Sequence, residues 1–249
     1  MRLHRFYIQT PISSKTFDIS DRDLIHQWRN VFRYNAGSQV IIFDGSGTDY
    51  LCIISSLRNL GATVTVIKEN KNKVEPCKNI WLCMAIIKKD NFELAVQKVT
   101  EIGVTHIVPI LCEHSEKKKI NFERLQKIVI EASEQSGRGD IPFLHPVTTL
   151  DELLNGGTLP QEKVVFHPIR TDELYSPTFN GISPTGISFE QYKNSTDVSS
   201  VAVFIGPEGG WSEKEIELFK SYNIPIVSLG SQILRAETSA IAVSSLLLF

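Results

Sequence analysis

Two loops contain the residue types that could bind a small ligand beside reactive groups. The first, residues 205–212, reads IGPEGGWS between a predicted strand and a helix that begins with the capping box Ser212 and Glu215. Glycine lets the backbone adopt positive φ and come close to a ligand, and ligands of open α/β sheets bind beyond the carboxyl ends of strands. The spacing is neither GxGxxG nor GxxxxGKS/T, and Glu208 would repel a phosphate. The loop therefore predicts either a site for a ligand that is not a polyanion or a plain strand-to-helix turn.

The second loop, residues 229–239, reads LGSQILRAETS and also joins a predicted strand to a predicted helix. Arg235, Glu237 and Thr238 are crowded at the start of that helix. Two interpretations are open: Glu237 or Thr238 caps the helix while Arg235 pairs with Glu237, or Arg235 faces a ligand. The second interpretation requires the two loops to lie side by side at the edge of one sheet.

The elements around these loops alternate between short apolar strands and amphipathic helices, which is typical of a mostly parallel sheet covered on both faces. A helical stripe over 92–102 has Asn91 as a possible N-cap and Gly103 as a stop, and a second helix starts at Asn121 and ends at Gly137. Strands are predicted at 80–87, 104–111, 164–166, 201–205 and 226–229, and the last helix at 236–247. Residues 170–200 are rich in Ser, Thr, Asn, Pro and Gly and predict a long surface loop.

The first 72 residues have a different pattern. Alternating apolar residues, among them Leu51 and Ile53, predict short strands separated by turns at residues 44–47 and 59–61. This region contains nine Lys and Arg against six Asp and Glu, whereas the whole chain has a net charge of −2. We therefore predict a small β-rich domain over 1–72 and a larger α/β domain over 73–249, and the basic first part favours binding to a polyanion.

The composition excludes several classes of protein. Hydrophobic residues make up 42% and charged residues 22% of the 249, as in globular proteins, which excludes a polar disordered chain. No apolar stretch approaches the ~18 residues of a membrane span, and none follows Arg2 and Arg5 as a secretory signal would require. The four cysteines lack CxxC spacing and the six histidines lack HxxH spacing, so we expect reduced thiols in a cytoplasmic protein without a metal site.

The strings IGPEGGWS and LGSQILRAETSAI resemble the loops of the SPOUT superfamily, the knotted RNA methyltransferases that use S-adenosylmethionine. HRFYI, FDGSG, FELAVQKVTEIGV and EASEQSGR, in this order along nearly the whole chain, are more specifically similar to the RsmE family. The resemblance implies a PUA-like β-barrel followed by an α/β domain with a deep trefoil knot. It also implies a homodimer that methylates N3 of one uridine, position 1498 in the usual rRNA numbering, in 16S ribosomal RNA of the small subunit. The apolar helix at 241–249 is a candidate for the dimer interface, or equally for the core.

The resemblance assigns roles to matching positions. It implies a cofactor pocket made of three loops: His167 with Pro168, residues 206–210 and residues 229–234. The residues expected to bind S-adenosylmethionine are His167, Gly206, Glu208, Gly210, Leu229, Ile233, Leu234 and Thr238. Uridine N3 carries a proton, so methylation requires the anion to be favoured, and Arg235 is the expected catalytic cation. Glu208 or Glu237 would orient Arg235 or take the proton, and the sequence leaves the proton acceptor open.

Basic residues are expected to contact the RNA. A predicted helix starting near Ser20 places Arg22, Arg29 and Arg33 within about 40° of one another at 100° per residue, while an apolar face that includes Trp28 and Val31 packs on the barrel. The arginine stripe, together with Arg2, Arg5 and Arg138 of the EASEQSGR string, would follow RNA phosphates; a solvated charged face is the alternative for the stripe. Two other functions stay open: a SPOUT methyltransferase with another target such as a ribose 2′-OH, and a non-catalytic RNA-binding factor of ribosome assembly.

Overall fold

The computed structural model describes residues 3–72, 77–115, 119–167, 186–190, 192, 199–230 and 232–249. The chain divides into two compact units. The first comprises Met1–Glu75 and Ser133–Ile141, and the second comprises Pro76–Ala132 and Pro142–Phe249. The first unit thus includes the segment Ser133–Ile141, which lies outside the domain predicted over 1–72.

The first unit contains a five-stranded sheet in the order β1-β3-β4-β5-β2, in which β1 runs parallel to β3 and the other pairs are antiparallel. Tight turns connect β3 to β4 and β4 to β5, as predicted, and Gly45 and Gly47 have φ of 84° and 80° in the first of them. The strands are β1 Arg5–Tyr7, β2 Thr16–Ile19, β3 Gln39–Phe43, β4 Thr48–Leu57 and β5 Ala62–Lys71.

The side chains of β4 that face the core are not those that the sequence pattern suggested. Cys52 and Ile54 are fully buried, whereas Leu51 and Ile53 are only half-buried. The pairing of β4 with β5 shifts register between Leu51 and Cys52. On β4 itself the buried residues alternate without interruption across this shift, from Tyr50 through Cys52 to Ile54, so Leu51 and Ile53 lie on the opposite face of the strand.

The helix predicted near Ser20 is shorter and less regular than expected. Helix α1, Arg22–His26, starts at Asp21, whose carboxylate accepts a hydrogen bond from the Leu24 N–H at 3.1 Å. A π-helical segment, Gln27–Val31, follows it, and Arg33 lies beyond the helix with φ of 55°. The prediction of one regular stripe of three arginines is therefore wrong, because a π-helical turn changes the angle between successive side chains. The same change leaves Val31 64% exposed.

The second unit contains an eight-stranded sheet among the described residues. Its order is β11-β13-β10-β12-β6-β7-β8, with β9 also paired to β7, and each of these pairs is parallel, which confirms the predicted mostly parallel sheet. The strands are β6 Asn79–Ala85, β7 His106–Leu111, β8 Phe143–Leu144, β9 Thr148–Thr149, β10 Glu162–Phe166, β11 Gly186–Ser188, β12 Ser200–Ile205 and β13 Ile226–Ser228. Further helices among the described residues are α2 Lys89–Ile102, α3 Phe122–Ser136, α4 Leu150–Asn155, α5 Glu213–Ser221 and α6 Ala236–Leu248.

Most helix boundaries follow local signals. The Asn121 side chain caps α3 by accepting from the Arg124 N–H at 3.0 Å, the Ser212 and Glu215 capping box starts α5, and Gly103 ends α2 with φ of 122°. The N-cap predicted at Asn91 is wrong, because α2 already begins at Lys89.

The surface loop predicted over 170–200 is corrected in part. Strand β11 pairs with β13 within it, and Tyr192 is buried; residues 168–185, 191 and 193–198 lie outside the described residues. Across the described residues, no helix combines the length and apolar character that crossing a membrane requires.

Candidate functional site

Three adjacent parallel strands bring three loops to one edge of the second unit's sheet. Strand β10 lies between β12 and β13, with Phe166 opposite Ile205 on one side and opposite Val227 on the other. The next residue, His167, donates its backbone N–H to the Val227 carbonyl at 3.1 Å. The loops that follow the three strands therefore begin beside one another at their carboxyl ends, where open α/β sheets bind ligands.

These loops line a cavity of about 230 Å³. It brings together the catalytic residue and all but one of the cofactor-binding residues predicted from the sequence: His167, Gly206, Glu208, Gly210, Leu229, Ile233, Leu234 and Arg235. Pro168 lies outside the described residues. The two glycine-containing loops thus lie side by side, which was the geometric requirement for a site rather than two unrelated turns.

Thr238 is the exception among these residues. It is exposed and does not line the cavity, whereas Ala236 and Ser239 do. Residues three apart on a helix share a face, so the face of α6 that includes Ala236 and Ser239 turns Thr238 away. Thr238 is therefore not among the described residues that line the cavity, and its role at the cofactor stays a prediction.

Trp211 is a wall of the cavity that the sequence analysis did not assign. Its ring is nearly buried, its indole N–H donates to the Phe166 carbonyl at 3.1 Å, and it packs edge-to-face on Phe219 with centroids 4.9 Å apart. A Cβ at Gly206 would lie 3.0 Å from Trp211 Cε2, closer than carbon atoms normally pack. Gly206 is thus required for the indole to lie against the loop backbone.

The loop itself is closed by a tight turn. The Gly210 N–H donates to the Pro207 carbonyl at 2.9 Å, and Gly210 has φ of 74°, a conformation that glycine adopts at little cost. Glu208 lies exposed at the tip, where one carboxylate oxygen accepts from the Lys88 N–H at 3.4 Å. A carboxylate is favourable there because the N-terminus of helix α2 carries positive partial charge.

Arg235 lies at the N-cap of α6 and borders the cavity with an exposed side chain. Among the ion pairs of the described residues, none joins Arg235 to Glu237. Glu237 is instead buried, and its Oε2 has no hydrogen-bond partner within the part of the chain that the structure describes. The interpretation of Arg235 and Glu237 as a structural pair is therefore wrong, and the guanidinium stays at the cavity.

The predicted RNA-contacting arginines divide into two groups. Arg22, Arg29 and Arg33 are exposed in the first unit, as binding to RNA phosphates requires. The Arg5 and Arg138 side chains are only 10% and 3% exposed. Arg2 lies outside the described residues.

Arg5 and Arg138 are held by interactions within the first unit. The Arg5 guanidinium pairs with Asp49 at 2.6 Å and lies over the Phe43 ring at 4.4 Å from its centroid. Arg138 forms a two-point ion pair with Asp140 at 3.0 and 2.7 Å, and its carbonyl accepts from Arg5. The expectation that both follow RNA phosphates is corrected, since these buried groups stabilise the unit.

No group of three or more His, Cys, Asp or Glu residues in the described ranges is arranged to hold a metal ion. His106 and His145 form a pair at 3.0 Å in the same unit as the cavity, but both lie on other strands and loops than those that line it.

Comparison with known proteins places the chain in a family. The family model described as an RNA methyltransferase domain matches residues 73–248, and the RNA methyltransferase PUA domain matches residues 29–67. A relative from Rickettsia conorii named ribosomal RNA small subunit methyltransferase E is 30% identical over 97% of this chain and 93% of its own. The chain belongs to the ribosomal RNA small subunit methyltransferase E family. A Bacillus subtilis relative with the same name is also 30% identical, over 90% of this chain and 86% of its own.

Solved structures of this methyltransferase E family share the fold. The Neisseria gonorrhoeae enzyme, bound to S-adenosyl methionine, is 26% identical and superposes with a TM-score of 0.82 over 98% of this chain and 96% of its own. A putative methyltransferase from Legionella pneumophila, in complex with the same cofactor, is 27% identical with a TM-score of 0.84 over 99% of this chain and 97% of its own. The PUA-like first unit and the α/β second unit are therefore those of the family.

Proposed function

We propose that this protein transfers a methyl group from S-adenosylmethionine to N3 of a uridine in 16S ribosomal RNA. One observation carries the proposal: His167 at the end of β10 and the described residues of the loops after β12 and β13 line a single cavity that has Arg235 at its border. Membership in the methyltransferase E family, and relatives whose structures contain S-adenosylmethionine, support this choice of donor. The names of the relatives support small-subunit ribosomal RNA as the substrate.

The lining of the cavity fits this donor. Leu229, Ile233 and Leu234 offer an apolar surface that suits an adenine ring, with backbone groups of the same loop within reach of its polar edge. The missing side chain at Gly206 lets the Trp211 ring pack directly against the loop backbone, where it forms one wall of the cavity. Among the described residues that line the cavity, Glu208 and Arg235 carry opposite charges, and these residues do not form the cluster of cations that a polyphosphate would require.

Arg235 is proposed to favour the anionic form of the target base. When bound, S-adenosylmethionine supplies an activated methyl group, but neutral uridine N3 carries a proton and is a poor nucleophile. Deprotonation spreads negative charge over the base oxygens, and a fixed guanidinium stabilises that charge. Each unit by which the pKa of the base falls corresponds to about 1.4 kcal/mol.

Finer features of the family are proposals for this chain. We propose that the loops around the cavity form the trefoil knot, that the first sheet closes into a barrel, and that Arg22, Arg29 and Arg33 contact RNA. We also propose a homodimer in the cytoplasm, where its ribosomal substrate is found. The exposed apolar side chains of Leu246 and Phe249 at the end of α6 support a dimer interface.

The proposal is tested with purified protein, labelled S-adenosylmethionine and small ribosomal subunits that lack the modification. Wild-type protein should produce 3-methyluridine, identified by mass analysis of nucleosides after digestion. Arg235→Ala should lower the rate by roughly 10²–10³-fold, with little change in cofactor affinity. Arg124→Ala, which removes an exposed arginine of α3 paired with Glu93, is the matched control. A methylated ribose would favour the alternative target, and failure to bind the cofactor would favour the assembly factor.

A further inference from the structure

A second cavity of about 700 Å³ adjoins the first along the 206–210 loop. Both cavities are lined by Glu208, Gly210 and Trp211, so they lie against the same short stretch of backbone. The second cavity differs in character, because it adds the polar side chains of Glu113, His114, Ser212, Glu213 and Lys214. Two ligands, one bound in each cavity, would therefore meet beside Gly210.

His114 is fixed at the shared wall by a hydrogen bond. Its Nδ1 lies 3.1 Å from the Gly210 carbonyl oxygen. A carbonyl can only accept a hydrogen bond, so in the neutral imidazole the proton lies on Nδ1 and Nε2 keeps its lone pair. The ring is exposed to the cavity side of the loop, and Nε2 is thus a proton acceptor available to a ligand.

The absence of a side chain at Gly209 allows His114 to lie against the loop. A Cβ at Gly209 would lie 3.0 Å from His114 Cβ and 3.5 Å from its Cγ. A Cβ at position 209 would therefore require the His114 side chain to shift by a few tenths of an ångström. Gly206 and Gly209 therefore serve different partners: the first makes room for Trp211 and the second makes room for His114.

The segment that carries His114 is anchored on both sides. The Glu113 N–H donates to Glu215 Oε1 at 2.9 Å, while the other oxygen of the same buried carboxylate accepts from the Ser212 N–H at 2.8 Å. The Cys112 N–H donates to Ser115 Oγ at 3.2 Å. A catalytic group is most effective when its neighbours already hold it in place, and this carboxylate ties the His114 turn to the start of α5.

We propose that the second cavity receives the target uridine and that His114 Nε2 accepts the N3 proton. This inference rests on the proposed function and deepens it. The N3–H bond breaks and its proton passes to Nε2; the freed pair on N3 forms the bond to the methyl carbon; the carbon–sulfur bond of the donor breaks and leaves its pair on sulfur. The products are an imidazolium, 3-methyluridine and a neutral thioether. Because cytosine has no N3 proton, an acceptor at this position also selects uracil.

Other titratable groups face the same cavity and define the competing assignments. Glu113, Glu208 and Glu213 are carboxylates, Lys214 is a cation, and His167 belongs to both cavities. Among the carboxylates, Glu208 is the strongest competitor because it alone of the three borders both cavities, although one of its oxygens already accepts from the Lys88 N–H.

The test uses two substitutions of His114 in the full-length protein. Asparagine preserves a donor for the Gly210 carbonyl but lacks Nε2, so His114→Asn should retain the fold and the dissociation constant for S-adenosylmethionine while kcat falls roughly 10²–10⁴-fold. His114→Ala should be reactivated by added imidazole, in proportion to its unprotonated form. His26→Asn, which removes an exposed imidazole on α1 of the first unit, should leave kcat unchanged. In the wild type, kcat should rise with pH, and this rise should be absent from His114→Asn.

The outcomes separate this inference from the proposed function. If wild-type protein neither binds the cofactor nor forms 3-methyluridine, the proposed function fails. If wild-type protein is active but His114→Asn has the wild-type kcat and pH profile, or imidazole does not reactivate His114→Ala, then His114 only braces the loop and the inference is overturned. Loss of the pH dependence in Glu208→Gln alone would transfer the role to Glu208.

Discussion

Replacing Gly206 by alanine tests how the cavity is built. The new Cβ would lie 3.0 Å from Cε2, 3.1 Å from Nε1 and 3.2 Å from Cδ2 of Trp211, compared with an ordinary carbon–carbon contact of about 3.5–4.0 Å. The indole cannot retreat freely, because it is hydrogen-bonded to the Phe166 carbonyl and packed on Phe219. Overpacking of this kind costs about 1–3 kcal/mol, and the strain should move the loop that lines the cofactor cavity.

We expect Gly206→Ala to raise the dissociation constant for S-adenosylmethionine 5- to 150-fold, since about 1.4 kcal/mol corresponds to a factor of ten. Titration calorimetry measures it. In a Trp211→Leu background, Gly206→Ala should weaken cofactor binding less than it does in the wild-type protein, because the clash is removed. Gly157→Ala, at a positive φ of 64° with nothing within 4 Å of the new Cβ, is the control for glycine replacement away from the cavity. Wild-type affinity in Gly206→Ala, or no recovery in the double variant, would refute the reasoning.

Three further predictions concern the framework. Glu215→Ala should lower the free energy of unfolding by roughly 1–3 kcal/mol, because two backbone donors lose a buried partner; an unchanged urea midpoint would contradict this. Arg5→Met should cost about 1.5–3 kcal/mol, because the half-buried Asp49 carboxylate loses its charged partner and keeps the Asn72 amide as a hydrogen-bond donor. Arg22→Gln should leave stability within about 0.5 kcal/mol and lower the slope of log K against log salt for RNA by about 0.7–0.9. The reverse pattern would restore Arg5 as an RNA contact. Burial, together with charge repulsion from His145, lowers the pKa of His106 to about 4. This value is below the pKa of ~6.5 that histidine has in an unfolded chain. The folded state thus prefers the neutral ring, so stability should be full above about pH 6.5 and decrease as the pH falls towards 4, and His106→Asn should flatten that decrease in urea midpoints.

Features set by neighbouring residues were predictable from the sequence. The capping box of Ser212 and Glu215, the Asn121 cap and the Gly103 stop each involve residues within a few positions of one another, so their chemistry is visible in the sequence. Five strands and four helices of the α/β region followed from apolar periodicity, whereas the short elements β8, β9, β11 and α4 were not predicted. The two glycine-containing loops were identified from their composition and their place after strands.

Features set by distant residues were not predictable in this way. Arg5 is buried because Asp49 and residues near 138 meet it, and separations of 44 and 133 positions leave no trace in a local pattern. His114 reaches Gly210 across 96 positions, and only the parallel arrangement of the sheet brings them together. The π-helical segment after α1 moved Arg33 off the predicted stripe, since the sequence does not reveal a change in helical period.

A crystal structure of the protein with S-adenosylmethionine tests the central claim most directly. The account predicts that the cofactor lies in the cavity between the 206–210 loop and Leu229–Arg235, with its adenine against Leu229 and Leu234 and its sulfonium methyl directed past Gly210 towards His114. A cofactor bound elsewhere, or one whose methyl group faces away from both Arg235 and His114, would contradict it.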